Sequence, residues 1–380
     1  MLYNFKNLIF IIFFLLLSCK STKKEKPFKN FAIVSAKVEA SKAGHKILKM
    51  GGNAFDAMIA TDLALAVVYP NAGNLGGGGF MVYRQKTGEN GSLDFREKAP
   101  INAYKNMYLN DDGNVVKNSS NEGALSIGIP GTIAGLFEVY KKFGTLPIDS
   151  LFEPALSLAK NGFPLTNKQA KLFNLNKNKI LINSDSINLF KKDFKTDMIF
   201  KNKPLYNTLK YILKNGKDGF YKGKISDEII TYTSKKGGLL TKDDFLLYNP
   251  VWRKPFVFHF DDLKIITMGL PSSGGVVLSQ ILKSLELLSL DKFKKRDINY
   301  TKTLIELQKN SFADRSKFLG DPDFYDAGFI DSLVGIKYLN QKLNSIDFIN
   351  PKPSSQINPG DVVFNESFET THYSILDSYG

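Results

Sequence analysis

Four consecutive glycines, Gly76–Gly79, lie within Asn71–Phe80 (NAGNLGGGGF) and constrain this chain more than any other stretch. A run without Cβ atoms lets backbone pass where a side chain would clash. Here it leads into strands: Phe80–Gln85 and Gly91–Phe95 read as a pair around the polar turn Lys86–Asn90. A phosphate-cradling loop would read GxxxxGK[ST], or GxGxxG opening a helix. The glycines therefore predict close backbone packing beside a pocket, not a nucleotide site.

The flanking segments mix helix and strand. Phe31–Val38 reads as a strand and Glu39–Met50 as a helix stopped by Gly51-Gly52. Ala54–Val68 is a second helix, apolar enough to lie deep in a core. Its only charges are Asp56 and Asp62, and either one, if buried, requires a hydrogen-bond partner. GIPGTIAG at Gly128–Gly135 opens a helix running to Phe143, and Ile148–Gly162 is helical again. Lys168–Lys217 is Lys- and Asn-rich, helical or looped, and Gly219–Lys235 is a helix after a turn. Pro255–Met268 alternates like a strand. Helices follow at Val276–Leu290 and Tyr300–Phe312, and Thr370–Leu376 is strand-like before a closing turn. No repeat is present, and the order predicts an α+β or layered α/β class.

Charge and rare residues narrow the chemistry. The 51 basic residues exceed the 37 acidic ones, for a net charge of +14. Only five are arginines: Arg84, Arg96, Arg253, Arg296 and Arg315. Arginine is the preferred residue for bidentate phosphate and base recognition, so a solvated lysine surface is the expectation and a nucleic-acid partner is not. One cysteine excludes an internal disulfide and a CxxC site, and three histidines (His45, His259, His372) form no HExxH motif. No metal or organic cofactor is expected.

The first nineteen residues read as an address. Leu8–Leu17 is an unbroken apolar run, too short for a bilayer but suited to a signal-peptide core. Leu16-Leu17-Ser18-Cys19 resembles a bacterial lipobox, which implies cleavage before Cys19 and lipidation of its thiol. The alternative is an ordinary signal peptide with an incidental cysteine. The expected organisation is a signal peptide over residues 1–18 and a lipidated, Lys-rich tether over 19–30. The expected location is an exported, bacterial membrane-anchored lipoprotein on the periplasmic or cell-surface side.

Three constellations could carry chemistry. Pro271–Gly275 (PSSGG) could present a serine, but it lacks GxSxG, and a helix cap explains it better. Leu93–Glu97 (LDFRE) ends a strand with Arg96, whose fork suits bidentate capture of a carboxylate. A structural pair with Asp94, Glu97 or a distant carboxylate explains Arg96 equally well. Glu369–Ser374 (ETTHYS) follows a proline-rich loop. A threonine exposed as a chain's first residue can use its own α-amine, with a pKa near ~8, as the base for its hydroxyl. That requires a cut between Glu369 and Thr370; otherwise TTHYS is a β-rich strand.

Together these stretches resemble the bacterial γ-glutamyltransferases (γ-glutamyltranspeptidases, or glutathione hydrolases). The matching runs are GGNAFDA at Gly51–Ala57, NAGNLGGGGFM at Asn71–Met81, LDFREKAP at Leu93–Pro100 and GIPGTIAG at Gly128–Gly135. LPSSGG at Leu270–Gly275, ADRSKFLGDPDF at Ala313–Phe324 and TTHYSI at Thr370–Ile375 complete an ordered set over about residues 30 to 380. The resemblance implies an N-terminal-nucleophile hydrolase with a four-layer αββα sandwich, made as a precursor that cuts itself between Glu369 and Thr370. It implies Thr370 as the catalytic nucleophile and Arg96 as the grip on the substrate α-carboxylate. The implied reaction cleaves the γ-glutamyl bond of glutathione and related compounds through a γ-glutamyl-Thr ester. Water or an amino-acid or peptide acceptor then takes the group.

On this reading residues 31–369 are the large subunit and 370–380 the start of the small one. The family's small subunit runs further, so the sandwich is expected to be incomplete and the 380-residue polypeptide inactive by itself. The small subunit of the same precursor is the expected protein partner, with membrane contact through the lipid anchor only. The alternatives are a related acylase on the same scaffold, such as a β-lactam acylase, and a non-catalytic surface lipoprotein.

Overall fold

The computed structural model describes residues 31–184, 188–289, 297–357 and 371–380. Cys19, Glu369 and Thr370, together with the signal and tether segments, lie outside the described residues.

The centre of the fold is the apolar helix. β1 (Ala32–Val34) leads into α1 (Val38–Lys49), and α2 (Ala54–Val68) follows with the bounds its composition predicts. Ile59, Leu63 and the small residues Ala57, Ala60 and Ala64 of α2 are completely buried. Small side chains allow close neighbours on several sides. These are α1, α3 (Thr132–Phe143) and α4 (Ile148–Asn161). Asp56, fully buried in the first turn of α2, meets the requirement for partners. It accepts from the Asn53 N–H (3.1 Å), the Thr145 N–H (3.0 Å) and the Thr145 hydroxyl, while the Asn53 side chain caps the helix in return.

The strands are short and antiparallel. β2 (Phe80–Arg84) pairs with β3 (Asn90–Asp94) in the register Phe80↔Asp94. After α5 (Asn167–Ile182), α6 (Lys203–Tyr221), α7 (Lys224–Ser234) and α8 (Lys242–Leu247), the chain returns to this sheet. β4 (Phe163–Pro164) and β5 (Ile199–Phe200) pair on the way, and β6 (Val251–Arg253) then joins β3, with Ser92 opposite Arg253. The Pro255–Met268 alternation is not one strand. It folds into the hairpin β7 (Phe256–Phe260) and β8 (Leu263–Thr267), with Asp261 at φ 54° in the turn. Aspartate tolerates that left-handed conformation better than most residues.

α9 (Gly274–Leu287) packs on this hairpin and on α10 (Ile298–Phe318). α10 continues through ADRSKF, beyond the expected end at Phe312; Ala313, Arg315 and Lys317 are good helix formers and no Gly or Pro intervenes before Gly320. Two further helices, α11 (Ile330–Leu333) and α12 (Ile336–Ser345), lie against α9. Near the chain's end β9 (Ser374–Leu376) pairs antiparallel with β1, Ala32 opposite Leu376. The fold is α+β, with helices around sheets of two and three strands among the described residues.

Candidate active site

The glycine run does what its composition predicts. A Cβ on Gly78 would lie 2.4 Å from the Phe95 carbonyl oxygen and 2.7 Å from the Glu97 nitrogen. Gly79 and Phe95 exchange backbone hydrogen bonds, Phe95 N–H to Gly79 O at 2.9 Å and the reverse at 3.2 Å. The Gly77 carbonyl accepts from the N–H groups of Gly131 (2.7 Å) and Thr132 (3.0 Å) at the start of α3. The segment Phe95–Glu97 is thus held between the glycines and the GIPGTIAG turn, and Arg96 sits at its centre.

Two carboxylate oxygens decide what Arg96 can do. Asp94 Oδ1 accepts from the Arg96 backbone N–H (3.0 Å), and Asp94 Oδ2 accepts from Arg253 Nε (2.8 Å). The other two guanidinium nitrogens of Arg253 donate to Asp323, at 3.0 and 2.8 Å. These bonds, to Asp323 first and then Asp94, raise the Arg253 pKa above its ordinary value despite partial burial. The Arg253 hydrogen bond in turn lowers the Asp323 pKa. The structural pair open to Arg96 from sequence is therefore taken by Arg253. The Arg96 side chain is exposed and has no ion pair with any described residue, its guanidinium lying 6.0 Å from the centre of the Phe80 ring. Its carbonyl accepts from the Tyr248 hydroxyl at 2.8 Å, and burial keeps that hydroxyl protonated well past the usual tyrosine range.

Arg96 lines a cleft of about 390 Å³ with Lys98, Arg253, Arg315 and Ser273. Three of the five arginines thus meet in one place, which their spacing in sequence does not reveal. Ser273 stands at the N-cap position of α9, but its side chain does not cap the helix; its hydroxyl accepts from Arg315 Nε at 2.8 Å. The helix-cap reading of PSSGG is therefore corrected: Ser273 occupies the cap position, but its hydroxyl is engaged by Arg315 instead of the helix N–H groups.

Phe80, under Arg96, also lines a second cavity of about 660 Å³. The segment Thr371–Asp377, which immediately follows Thr370 in sequence, lines the same cavity. The structure therefore places Thr371–Ser374 along a cavity that Phe80 also lines, and the Phe80 ring lies beneath the Arg96 guanidinium of the first cleft. His372 is exposed. Thr371 Oγ1 is buried and pairs with none of the described residues. Tyr373 donates its hydroxyl to Asp62 Oδ2 on α2 at 2.9 Å. Burial raises the Asp62 pKa to about 6, and the Tyr373 hydrogen bond limits that rise. Asp62 was expected to need a partner if buried; that the partner would come from TTHYS had no local signal.

Known proteins resemble this chain over most of its length. The family model described as Gamma-glutamyltranspeptidase matches residues 40–380. The glutathione hydrolase proenzyme of Escherichia coli is 38% identical over 352 residues, covering 92% of this chain and 60% of the relative. The chain thus spans about three fifths of the length of the curated relatives it matches. Among solved structures, Helicobacter pylori gamma-glutamyltranspeptidase superposes with a TM-score of 0.83 at 40% identity, covering 91% of this chain and 99% of that chain. Gamma-glutamyltranspeptidase from Pseudomonas nitroreducens complexed with L-DON gives 0.80 at 35% identity, covering 86% and 98%.

Proposed function

Since this chain belongs to the gamma-glutamyltranspeptidase family, we propose that the protein it forms is a γ-glutamyl hydrolase and transferase with Thr370 as its nucleophile. The observation that carries this reading is the Arg96 guanidinium, which forms no ion pair with any described residue and lies over Phe80, a wall of the cavity that Thr371–Asp377 also lines.

The Thr370 hydroxyl first attacks the Glu369 carbonyl, and the acyl group passes from nitrogen to oxygen. Water opens the resulting ester, leaving a Glu369 carboxylate and a free Thr370 amine. That amine then accepts the hydroxyl proton as the oxygen attacks the γ-carbonyl of a γ-glutamyl compound such as glutathione. The C–N bond breaks, the amine departs with a proton, and a γ-glutamyl ester remains. Water releases glutamate; an amino-acid or peptide amine takes the group instead. Arg96 holds the α-carboxylate throughout, so its contribution appears in substrate binding.

The test is steady-state kinetics of the full-length gene product with glutathione. Arg96→Ala loses a charge-assisted pair of about 2–5 kcal/mol, so kcat/KM falls about 30-fold or more, mainly through KM. Unchanged kinetics in Arg96→Ala would remove the carboxylate clamp. A higher kcat/KM for glutaryl amides, which lack the amino group, would favour an acylase.

The Leu16–Cys19 lipobox supports lipid anchoring at Cys19, with the body on the periplasmic or outer side of a bacterial membrane. Labelled palmitate is then incorporated into the wild-type chain, and Cys19→Ser abolishes the label. Label that persists after the substitution would assign the anchor elsewhere.

A further inference from the structure

The segment after Thr370 is attached to the body at two points of one helix. The Tyr373 hydroxyl donates to Asp62 Oδ2 at 2.9 Å, and Asp377 Oδ2 accepts from the Ala54 N–H at 3.1 Å. Ala54 opens α2, so its free N–H favours a carboxylate. Ala54 and Asp62 are separated along the helix by about 12 Å at 1.5 Å per residue. Tyr373 and Asp377 are separated by about 13 Å at the extended-chain rise. The two spacings match, so both ties form on one straight strand lying antiparallel to the helix. Among the described residues the segment is also held by three β9–β1 pairs, by Tyr373 and Ile375 packing on the core and by Arg84 Nη1 donating to the Gly380 carbonyl at 3.2 Å; the two ties above are the hydrogen bonds that fix it against α2.

Asp62 is costly where it stands. It interrupts a helix otherwise buried from Ala57 to Val68, and burial disfavours its charge. An apolar residue would pack there without that cost. What the carboxylate supplies is an acceptor for Tyr373, three residues after Thr370.

We propose that Asp62 and Tyr373 are positioning residues which, with Asp377 at the Ala54 N–H, clamp the nucleophile strand to α2 and set the Thr370 hydroxyl for attack. This inference rests on Thr370 being the nucleophile.

The full-length gene product is used, and self-cleavage is timed on folded precursor at a temperature where circular dichroism is native. Tyr373→Phe and Asp62→Ala slow cleavage about tenfold or more, the effect of losing a hydrogen bond to a charged group. Asp62→Asn keeps an oxygen acceptor and returns the rate to within about threefold of wild type. In cleaved Tyr373→Phe enzyme, kcat falls while the KM for glutathione holds, because Arg96 is untouched. A variant that merely lost stability would melt earlier yet cleave and turn over normally when folded, and that result overturns the clamp. Asp62→Asn as slow as Asp62→Ala, with native circular dichroism, overturns it too. Should the Asp62 variants fail to fold, Tyr373→Phe decides alone. A wild-type chain that never cleaves removes the nucleophile assignment and the clamp together; a wild-type chain that cleaves beside unaffected variants removes only the clamp.

Discussion

Asp94 separates two arginines by giving each a different part of itself. One oxygen holds the backbone of Arg96, the other the side chain of Arg253, so of two guanidinium groups in one cleft Arg253 is held by carboxylates and Arg96 pairs with none of the described residues. Arg253→Ala leaves a buried Asp94 short of its cation and lowers stability by about 3 kcal/mol in urea unfolding. Arg96→Ala, with its guanidinium exposed, shifts the same midpoint by less than about 0.5 kcal/mol. The reverse order of effects would mean that Arg96 is the structural member. Two carboxylates give opposite pH dependence. The Asp323 pKa is lowered by Arg253, so its stabilisation is present above the ordinary carboxylate value and lost as pH falls through the folded value. The Asp62 pKa is raised to about 6, so its contribution is full below 3.8 and lost as pH rises through about 6. Between pH 4 and 7 the stability of Asp62→Asn therefore rises relative to wild type. The gain is on the order of 1–2 kcal/mol, since water still reaches the partly buried carboxylate. A flat difference across that range would contradict the raised pKa. Sequence shows Arg96 as a candidate but not its freedom, because the residue that takes Asp94 lies 159 positions away.

The glycine run separates close packing from backbone conformation as reasons for a missing side chain. Gly78 has backbone atoms within 3 Å of where a Cβ would stand, whereas Gly88 has nothing within 4 Å but a φ of +89°. Gly78→Ala forces Phe95–Glu97 aside and costs about 2–3 kcal/mol. Gly88→Ala costs about 1 kcal/mol from backbone strain alone. Thermal melts of the two variants check the order, and only Gly78→Ala also raises the KM for glutathione, since it moves Arg96. Elements with a strong period or firm stops were legible: α2 and the β2–β3 hairpin lie where composition puts them. β6 was not, because three residues between Pro250 and Pro255 carry no period and its pairing with β3 is long-range. The β7–β8 turn was missed because Asp261-Asp262 lacks the glycine that usually marks a tight hairpin.

At the scale of the molecule, the parts of the site come from distant stretches of chain. The glycine run and the GIPGTIAG turn fix Phe95–Glu97, and α2 holds the segment that follows Thr370. Ordered motifs made the family legible, whereas the Asp62–Tyr373 tie spans 311 positions and needed the fold to appear. The central claim is that Thr370 breaks the bond before it and then works through its uncovered amine. Its most direct test is the purified full-length gene product on a denaturing gel, with the amino-terminal residue of the smaller fragment identified. The account predicts two fragments, the smaller beginning at Thr370, and one uncut chain for Thr370→Ala. A wild-type protein that folds and stays in one piece, or a smaller fragment beginning at another residue, would contradict it.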